Sequence, residues 1–572
     1  MKILSLHCDY IKFKPLKKAL KQTQDLTKEQ EKEMEVKEAL VIFTAVEKQD
    51  ESNPEILKKY LENIRDLASQ VKAKNIVLYP YAHLSSSLSN PDFAKSLLEK
   101  AEKELTDFKV SRAPFGYYKE FELKCKGHPL AELSRSIGEE IKPGNKVEVK
   151  PETYDYKQLL KLISRSKLDT SKLKENDHRI IGQKLDLFSF NEVAPGMVFW
   201  HNNGLIIYNE LVDFWREEHR KAGYQEISTP LILDKRLWLI SGHWEKYKEN
   251  IFITGYEGKE YAVKPMNCPG GMLVYKASPK SYKQLPLRVG EIGTVHRQEL
   301  SGVLAGLFRV IKITQDDAHI FCTEEQLEDE ISKIMNLIDK FYKKFSIEFD
   351  HVELSTRPEK RIGADEVWDK AESTLESVLK KKKMKYKINA GDGAFYGPKI
   401  DFHAKDSLGR TWQLSTIQLD FAMPERFELE YTTADNKTKR PVMLHTVTYG
   451  ALERFMGILL ESTNGNLPTW LSPIQVRVIS FTDRNQKTAE KVVNQLMEAG
   501  IRVDSDFDSS TVNEKVRNAE LARIPHLITI GDKEEEKGTI AVKKRGKSEK
   551  PKFNVKLAEF IQEIKEEIEK RI

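Results

Sequence analysis

Gly290-Glu291-Ile292-Gly293-Thr294-Val295-His296-Arg297-Gln298-Glu299, followed by Arg309, is the stretch on which the reading of this chain turns. It ends in an Arg-x-Glu group. Upstream, Gly223-Tyr224-Gln225-Glu226-Ile227-Ser228-Thr229-Pro230 reads as a helix end and then a strand stopped by proline. Downstream, Tyr449-Gly450-Ala451-Leu452-Glu453-Arg454-Phe455-Met456-Gly457-Ile458 carries a Gly-x-x-x-Arg group. Each is loose by itself. A buried strand that ends in proline is common, and Arg297 or Arg454 taken alone reads as a surface ion-pair partner.

Working outward, a helix from about Asn203 to Ala222 precedes the first stretch, with Gly223 in the C-cap position. The region from about 183 to 473 forms one large domain. Before it, Lys2–His7, Ala39–Val46 and Asn75–Pro80 are strand-like. Between them Asn53–Ala73 carries Ile56, Leu57, Leu61, Ile64 and Leu67 at helical spacing. Asp92–Leu105 is a further helix, and Phe121–Cys125 a further strand before Ser136–Pro143 breaks the pattern. These make an α/β domain over 1–142. A Lys-, Asp- and Ser-rich linker spans 143–182, with a short helix at Tyr156–Ser164. After Ile474 the order is strand Val476–Phe481, helix Gln486–Ala499, strand Val503–Phe507, helix Asn513–Arg523, strand Leu527–Ile530. That is the rhythm of a parallel sheet in a domain over 474–572.

At 572 residues the chain is too long for one core. No apolar run approaches the roughly 20 residues that span a bilayer, and the first residues lack the h-region of a signal peptide. Cys8, Cys125, Cys268 and Cys322 lie far apart with no CxxC pairing, which suits a reducing cytosol. A net charge of +5 excludes a histone-like binder, so nucleic-acid contacts must come from local patches.

The three stretches, in this order, resemble motifs 1, 2 and 3 of the class II aminoacyl-tRNA synthetases. The chemistry explains the residue types. Forming an aminoacyl-adenylate brings a carboxylate onto the α-phosphate of ATP while pyrophosphate leaves, so anions must be held in line by positive charge. Arginine's planar fork bonds phosphate bidentately and stays charged. The resemblance implies Arg297 on the α-phosphate, Arg454 on the γ-phosphate, Glu299 by the adenine amino group, Arg309 beside them, and Mg²⁺ bridging the phosphates. Ile313 stands where the family often places an aromatic ring on adenine, and Ala451 where many members have serine.

Three more stretches narrow the resemblance: Lys264-Pro265-Met266-Asn267-Cys268-Pro269-Gly270, Thr314-Gln315-Asp316-Asp317-Ala318-His319-Ile320-Phe321, and Pro441-Val442-Met443-Leu444-His445. Without a family, Cys268 reads as a buried core cysteine and both histidines as structural residues. Together the stretches resemble the amino-acid pocket of threonyl-tRNA synthetases. That implies one zinc per chain, held by Cys268, His319 and His445 with a coordination position left open. It also implies that Gln315 and Asp317 help hold threonine, with Met266, Tyr396, Lys399 and Gln413 lining the pocket. A hydrophobic pocket separates threonine from valine poorly, whereas a metal makes the hydroxyl a required ligand.

The last domain is similar to the anticodon-binding domain shared by the threonyl, prolyl, histidyl and glycyl enzymes, which implies Arg517, Arg523, Glu534 and Lys543 facing anticodon bases. Its basic run Lys543, Lys544, Arg545, Lys547, Lys550 and Lys552 reads alone as a solvated hairpin. In the first domain, Tyr79-Pro80-Tyr81-Ala82-His83-Leu84-Ser85-Ser86, Ala113-Pro114-Phe115-Gly116-Tyr117-Tyr118-Lys119 and Lys126-Gly127-His128-Pro129-Leu130-Ala131-Glu132-Leu133 look like the archaeal editing domain, similar in fold to D-aminoacyl-tRNA deacylases. This implies an editing pocket lined by His83, Tyr118, Lys119 and Glu132.

The expectation is therefore an α/β and α+β multidomain chain. It has a class II core built on an antiparallel sheet, an N-terminal α/β editing domain and a C-terminal α/β anticodon-binding domain. The implied partners are threonine, ATP with Mg²⁺ and tRNA(Thr), in a cytoplasmic homodimer with no membrane contact. The rivals are a prolyl- or seryl-tRNA synthetase, which the Cys268/His319/His445 set opposes, and a non-catalytic tRNA sensor, which would need no phosphate-clamping arginines.

Overall fold

The computed structural model describes residues 1–20, 23, 25–85, 87–128, 130–137, 155–163, 173–406, 408–546 and 550–572. The chain divides into two compact units, Met1–Lys142 and Pro143–Ile572.

The first unit is a six-stranded sheet around a long strand β1 (Lys2–Lys18). In chain order follow β2 (Met34–Ala45), helix α1 (Ile56–Val71), β3 (Asn75–Pro80), α2 (Pro91–Glu104), β4 (Lys109–Arg112), β5 (Tyr117–Cys125) and β6 (Glu132–Ser136). The order is β4-β3-β2-β1-β5, with β6 also paired to β1. The α1 and α2 crossovers make β2, β3 and β4 parallel, while β1 is antiparallel to its neighbours. Alternation divides the sheet's two faces. Ile3, Leu40, Ile42, Ile76 and Leu78 pack with Ile64 and Leu67 of α1 and Leu97 and Leu98 of α2. The other face carries Ile11, Phe13, Val41, Phe43, Val77 and Tyr79. Asn90 caps α2 by accepting from Asp92 N at 2.9 Å, with Pro91 in the first turn.

The second unit begins with α3 (Tyr156–Ile163), α4 (His178–Lys184) and α5 (Asn202–Lys221). Its centre is an eight-stranded sheet of β7 (Gln225–Glu226), β8 (Leu287–His296), β9 (Lys312–Cys322), β10 (His351–Ser355), β11 (Lys387–Asn389), β12 (Lys399–Lys405), β13 (Thr411–Asp420) and β14 (Val442–Ala451). The order is β11-β10-β12-β13-β14-β9-β8-β7. All pairs are antiparallel except β7 with β8 and β10 with β11. Between the strands lie α6 (Cys268–Lys276), α7 (Leu327–Lys344) and α8 (Asp365–Lys381), and α9 (Leu452–Thr463) follows β14. Ile320, Val352, Leu354, Ile400, Phe402, Ile417, Leu419 and Leu444 point to one face, against Phe214 and Trp215 of α5 and Ile334 and Ile338 of α7. The alternate residues of these strands are mostly polar and face the other way, with Phe321 and Met443 joining a smaller core there. That face holds the site.

The C-terminal part of this unit is a five-stranded sheet, β15 (Val476–Ser480), β16 (Val503–Asp506), β17 (His526–Ile530), β18 (Ile540–Lys544) and β19 (Lys552–Val555), with α10 (Gln486–Glu498), α11 (Val512–Leu521) and α12 (Leu557–Glu569). β16-β15-β17 are parallel, but β18 and β19 add antiparallel strands, so the sheet is mixed rather than parallel throughout.

Several expected elements differ. β1 runs on past His7 to Lys18, because Ile11 and Phe13 bury between more exposed neighbours and pairing continues with β2 to Phe13 and, after a register shift at Cys8, with β5 to Lys18. Ser136 lies inside β6 rather than breaking a pattern. The strand expected before Pro230 is only Gln225–Glu226, a short edge parallel to β8. Within the stretch read as a linker, α4 buries Ile181 in the second unit's core. Residues 143–154 and 164–172 of that stretch, residues 138–142 before it, and Ser86, Pro129 and Lys547 of the quoted motifs lie outside the described residues.

Candidate active site

One cavity of about 700 Å³ opens on the polar face of the eight-stranded sheet. All thirteen residues expected in the active site line it: Arg297, Glu299, Arg309, Arg454, Met266, Gln315, Asp317, Tyr396, Lys399, Gln413, Cys268, His319 and His445. Pleating explains the convergence. Gln315, Asp317 and His319 are alternate residues of β9, and His319 sits directly opposite His445 on β14, which sits opposite Gln418 on β13.

At one end, Cys268 begins α6 and meets the two histidines. One ligand atom from each lies within 4.8 Å of the others, and all three residues are buried. Burial pushes the Cys268 thiol well above its usual range, with Asp317 and Asp420 adding to the effect. Burial, then His445, drives the His319 imidazole well below its usual pKa, so it is neutral. His445 Nε2 lies 2.8 Å from Asp420 Oδ2, and the other Asp420 oxygen accepts from the amides of Ala422 and Met423 at 2.8 and 2.9 Å. A carboxylate that orients one imidazole nitrogen leaves the other for a metal. A neutral imidazole, an oriented imidazole and a thiol whose protonated form is otherwise favoured make a donor set that fits Zn²⁺.

At the other end the cavity is cationic. Arg454 Nε donates to Phe308 O at 2.9 Å and Nη1 to Gln413 O at 2.7 Å, and its guanidinium lies over the Trp412 ring. Burial, then Arg297 and Arg309, lowers its pKa to about 10. Arg297 Nε donates to Pro265 O at 3.1 Å and Nη2 to Gln315 Oε1 at 3.4 Å. Among the described residues no carboxylate pairs with Arg297 or Arg454. Arg309 donates twice to one oxygen of Glu299, at 3.1 and 2.9 Å, leaving the other oxygen free. Half-buried cations that lack counter-ions select anions. Ile313 lines the wall but packs with Val295 and Val310.

Between the ends, Asp317 accepts from Asn267 Nδ2 at 2.6 Å, and burial raises its pKa. Asn267 Oδ1 is buried without a partner. Gly293 faces it, and a Cβ there would come within 2.3 Å of Asn267. Sequence reasoning missed Asn267, Asp401 and Asp420. Asp401 gathers Gln413 and Thr416 on one oxygen and Ser355 and Lys399 on the other. The only available signal was an acidic residue among the alternating apolar residues of β12 and β13.

The first unit has its own pocket of about 400 Å³, lined by His83, Tyr118 and Lys119 with Tyr79, Tyr81 and Phe121. Lys119 Nζ donates to Pro114 O at 2.9 Å and Tyr117 O at 3.0 Å, and burial lowers its pKa to about 8. Glu132, expected beside them, is not part of this lining. Its register on β6 sets it opposite Leu6, next to the Cys125 thiol. In the C-terminal sheet, Arg523 and Lys543 share a cleft of about 430 Å³ with Arg545 and Asn466. Arg517 and Glu534, expected with them, do not line it. Arg517 is exposed on α11, and Glu534 accepts from Gly531 N at 3.2 Å at the start of its own helix.

Comparison with known proteins follows the same division. Residues 1–137 match the archaea-specific editing domain of threonyl-tRNA synthetase, 252–463 the class II tRNA synthetase core domain (G, H, P, S and T), and 475–567 an anticodon-binding domain. The threonine–tRNA ligases of Carboxydothermus hydrogenoformans and Caldanaerobacter subterraneus are 53% identical over 401 residues and 54% over 395. These alignments cover 70% and 69% of this chain and 62% and 61% of those proteins, so the chain spans under two thirds of their length. A crystallised part of threonyl-tRNA synthetase from Cryptosporidium parvum, titled its RNA binding domain, is 41% identical with a TM-score of 0.66, over 68% of this chain and 98% of that one. A structure described as a putative threonyl-tRNA synthetase from Aeropyrum pernix is 28% identical with a TM-score of 0.61, over 69% and 96%.

Proposed function

This chain belongs to the threonyl-tRNA synthetase family, and from that premise we propose that it activates threonine with ATP, transfers it to tRNA(Thr), and hydrolyses mischarged seryl-tRNA(Thr) in its N-terminal domain. The observation that carries the reading is one cavity with a buried Cys/His/His set at one end and counter-ion-free arginines at the other. An amino acid that binds the first end presents its carboxylate toward the second, where the phosphates of ATP complexed with Mg²⁺ would lie.

In the activation step the threonine carboxylate oxygen attacks the α-phosphorus and the bond to the bridging α–β oxygen breaks, releasing pyrophosphate. Arg297, held at the cavity wall by Pro265 O and Gln315, supplies charge to the α-phosphate. Arg454, fixed by two carbonyls, clamps the γ-phosphate. Preorganised charge of this kind is most effective where water is excluded. Glu299 keeps one oxygen for the adenine amino group while the other holds Arg309. Asp317, set by Asn267, and Gln315 receive the substrate's amino group, while Met266, Tyr396, Lys399 and Gln413 close the sides. Zinc held by Cys268, His319 and His445 would supply an open Lewis-acid position that threonine's amino and hydroxyl groups fill and valine's methyl cannot.

The working parts in this reading are editing over 1–142, a linker over 143–182, catalysis over 183–473 and anticodon binding over 474–572, in a cytoplasmic homodimer. Arg523 and Lys543 form the favoured anticodon contact because they share a cleft; Arg517 and Glu534 serve its periphery. His83, Tyr118 and Lys119 line the editing pocket, and Glu132 contributes from outside it. Among the described residues no helix is long and apolar enough to cross a membrane. The test is charging of a tRNA(Thr) transcript with labelled amino acids and ATP: threonine should accumulate on the tRNA, and charging with proline instead would overturn the assignment.

A further inference from the structure

We propose that His351, Glu353 and His403 form a second metal site, separate from the active-site cavity, that takes a divalent d-block ion, zinc foremost. His351 and Glu353 are alternate residues of β10, so they share a face, and His403 on β12 lies directly opposite His351 across the antiparallel pair. Val352, Leu354 and Phe402 between them point into the core. One ligand atom from each of the three lies within 4.8 Å of the other two.

The details fit an ion better than a simple charge network. His351 Nδ1 lies 2.7 Å from Asp350 Oδ2, the carboxylate support that fixes a metal-binding imidazole and directs its Nε2 outward. That Nε2 is 3.1 Å from Glu353 Oε1. The far Glu353 oxygen accepts from Asn389 Nδ2 at 2.9 Å, which orients the carboxylate. His403 Nε2 is 3.5 Å from that far oxygen, and it is buried with no hydrogen-bond partner among the described residues. A buried ring nitrogen without a partner requires an explanation. With metal–nitrogen bonds of roughly 2.0–2.1 Å, a tetrahedral site spaces its ligand atoms about 3.3 Å apart, close to the 3.1 Å from His351 to one Glu353 oxygen and the 3.5 Å from His403 to the other. The two rings stack at 4.5 Å and 7°, so their lone pairs lie in nearly parallel planes, and holding an ion requires the rings to turn toward one another.

Two imidazoles and one carboxylate suit zinc and its d-block neighbours rather than Mg²⁺ or Ca²⁺, which prefer all-oxygen shells. The side chains are 16–19% exposed, so an ion can enter from solvent. The third candidate cluster, Asp177, His178 and Glu461, differs on this point. Both His178 nitrogens are engaged, by Glu461 at 2.7 Å and by Leu307 N at 3.0 Å. Bound metal would tie β10 to β12 beside Asp401, the carboxylate that gathers Lys399 and Gln413 of the cavity.

The test is zinc stoichiometry of the full chain after chelation and dialysis against Zn²⁺. The wild type should hold two ions per chain, Cys268→Ser one, His403→Ala one, and the double variant none. Cobalt added to Cys268→Ser should then give a d–d spectrum that Glu353→Gln abolishes, which keeps the test intact if His403→Ala folds poorly. One ion in the wild type, or an unchanged count and spectrum in His403→Ala and Glu353→Gln, overturns the second site. The count does not depend on which amino acid the enzyme activates.

Discussion

Arg454 and Arg297 line the cavity with no carboxylate partner among the described residues, unlike many arginines of the chain. Arg288 is paired with Glu330 at 2.6 Å, and Arg477 with Asp504, so each is neutralised where it stands. Arg297 and Arg454 are held only by neutral groups, which fixes their direction and leaves their charge available. Arg297→Ala should therefore lower threonine-dependent pyrophosphate exchange by about 100-fold or more, the scale for removing one preorganised donor. Zinc content and thermal unfolding should stay at wild-type values, because the side chain touches neither the metal set nor the core. An exchange rate within a few-fold of wild type would remove Arg297 from the chemistry. These arginines were legible in the sequence because phosphate chemistry restricts the residue type and the flanking motifs mark the place. Asp401, Asp420 and Asn267 were not, since their meaning depends on which neighbours face them across strands far apart in sequence. The surroundings of Glu132 were illegible for the same reason: only the β6 register sets it opposite Leu6 and next to Cys125, outside the pocket's lining.

At the scale of elements, the strand β8 is tied to the segment before it by a buried pair. Glu291 Oε1 accepts from Lys264 Nζ at 2.9 Å and from Thr229 N at 2.8 Å, and both charged side chains are 3% exposed. Glu291→Ala would leave Lys264 buried and unpaired, which costs about 3–5 kcal/mol. The melting temperature of that variant should fall clearly below wild type, and an unchanged melting temperature would show the pair to be dispensable. Helix α5 makes a prediction of a different kind. His219 stacks on Trp215 at 4.1 Å, and burial lowers its pKa to about 3. In the unfolded chain it titrates near 6.5, so between pH 6.5 and 3 the unfolded state binds the extra proton and stability falls as pH falls. Above pH 6.5 this contribution is fully present. A polar isostere such as His219→Gln should flatten that part of the acid limb in thermal unfolding followed from pH 7 to 4, and an identical slope would show other groups to dominate. The strands that misled the sequence reading are those whose pairing is decided from outside. β1 continues past His7 because β2 holds it to Phe13 and β5 to Lys18, and β7 is only two residues long at the sheet's edge.

At the scale of the whole molecule, the two proposed chemistries fall in separately compact units. Serine has the amino group and hydroxyl of threonine and lacks one methyl, a difference worth about 1–3 kcal/mol, or roughly 10–200-fold, in a binding pocket. Synthesis alone cannot supply the needed discrimination, so the N-terminal pocket is assigned the correction. Removing residues 1–142 should leave threonine charging intact and let serine accumulate on tRNA(Thr). Serine levels equal to those of the full chain would deny the domain its editing role. The central claim is that one cavity reads threonine at its Cys/His/His end and ATP at its arginine end. It is tested most directly by ATP–pyrophosphate exchange with the purified chain and each standard amino acid in turn. Threonine should support strong exchange, serine weaker exchange, and valine and proline none above background. Exchange that proline drives, or that valine drives as well as threonine, would contradict it.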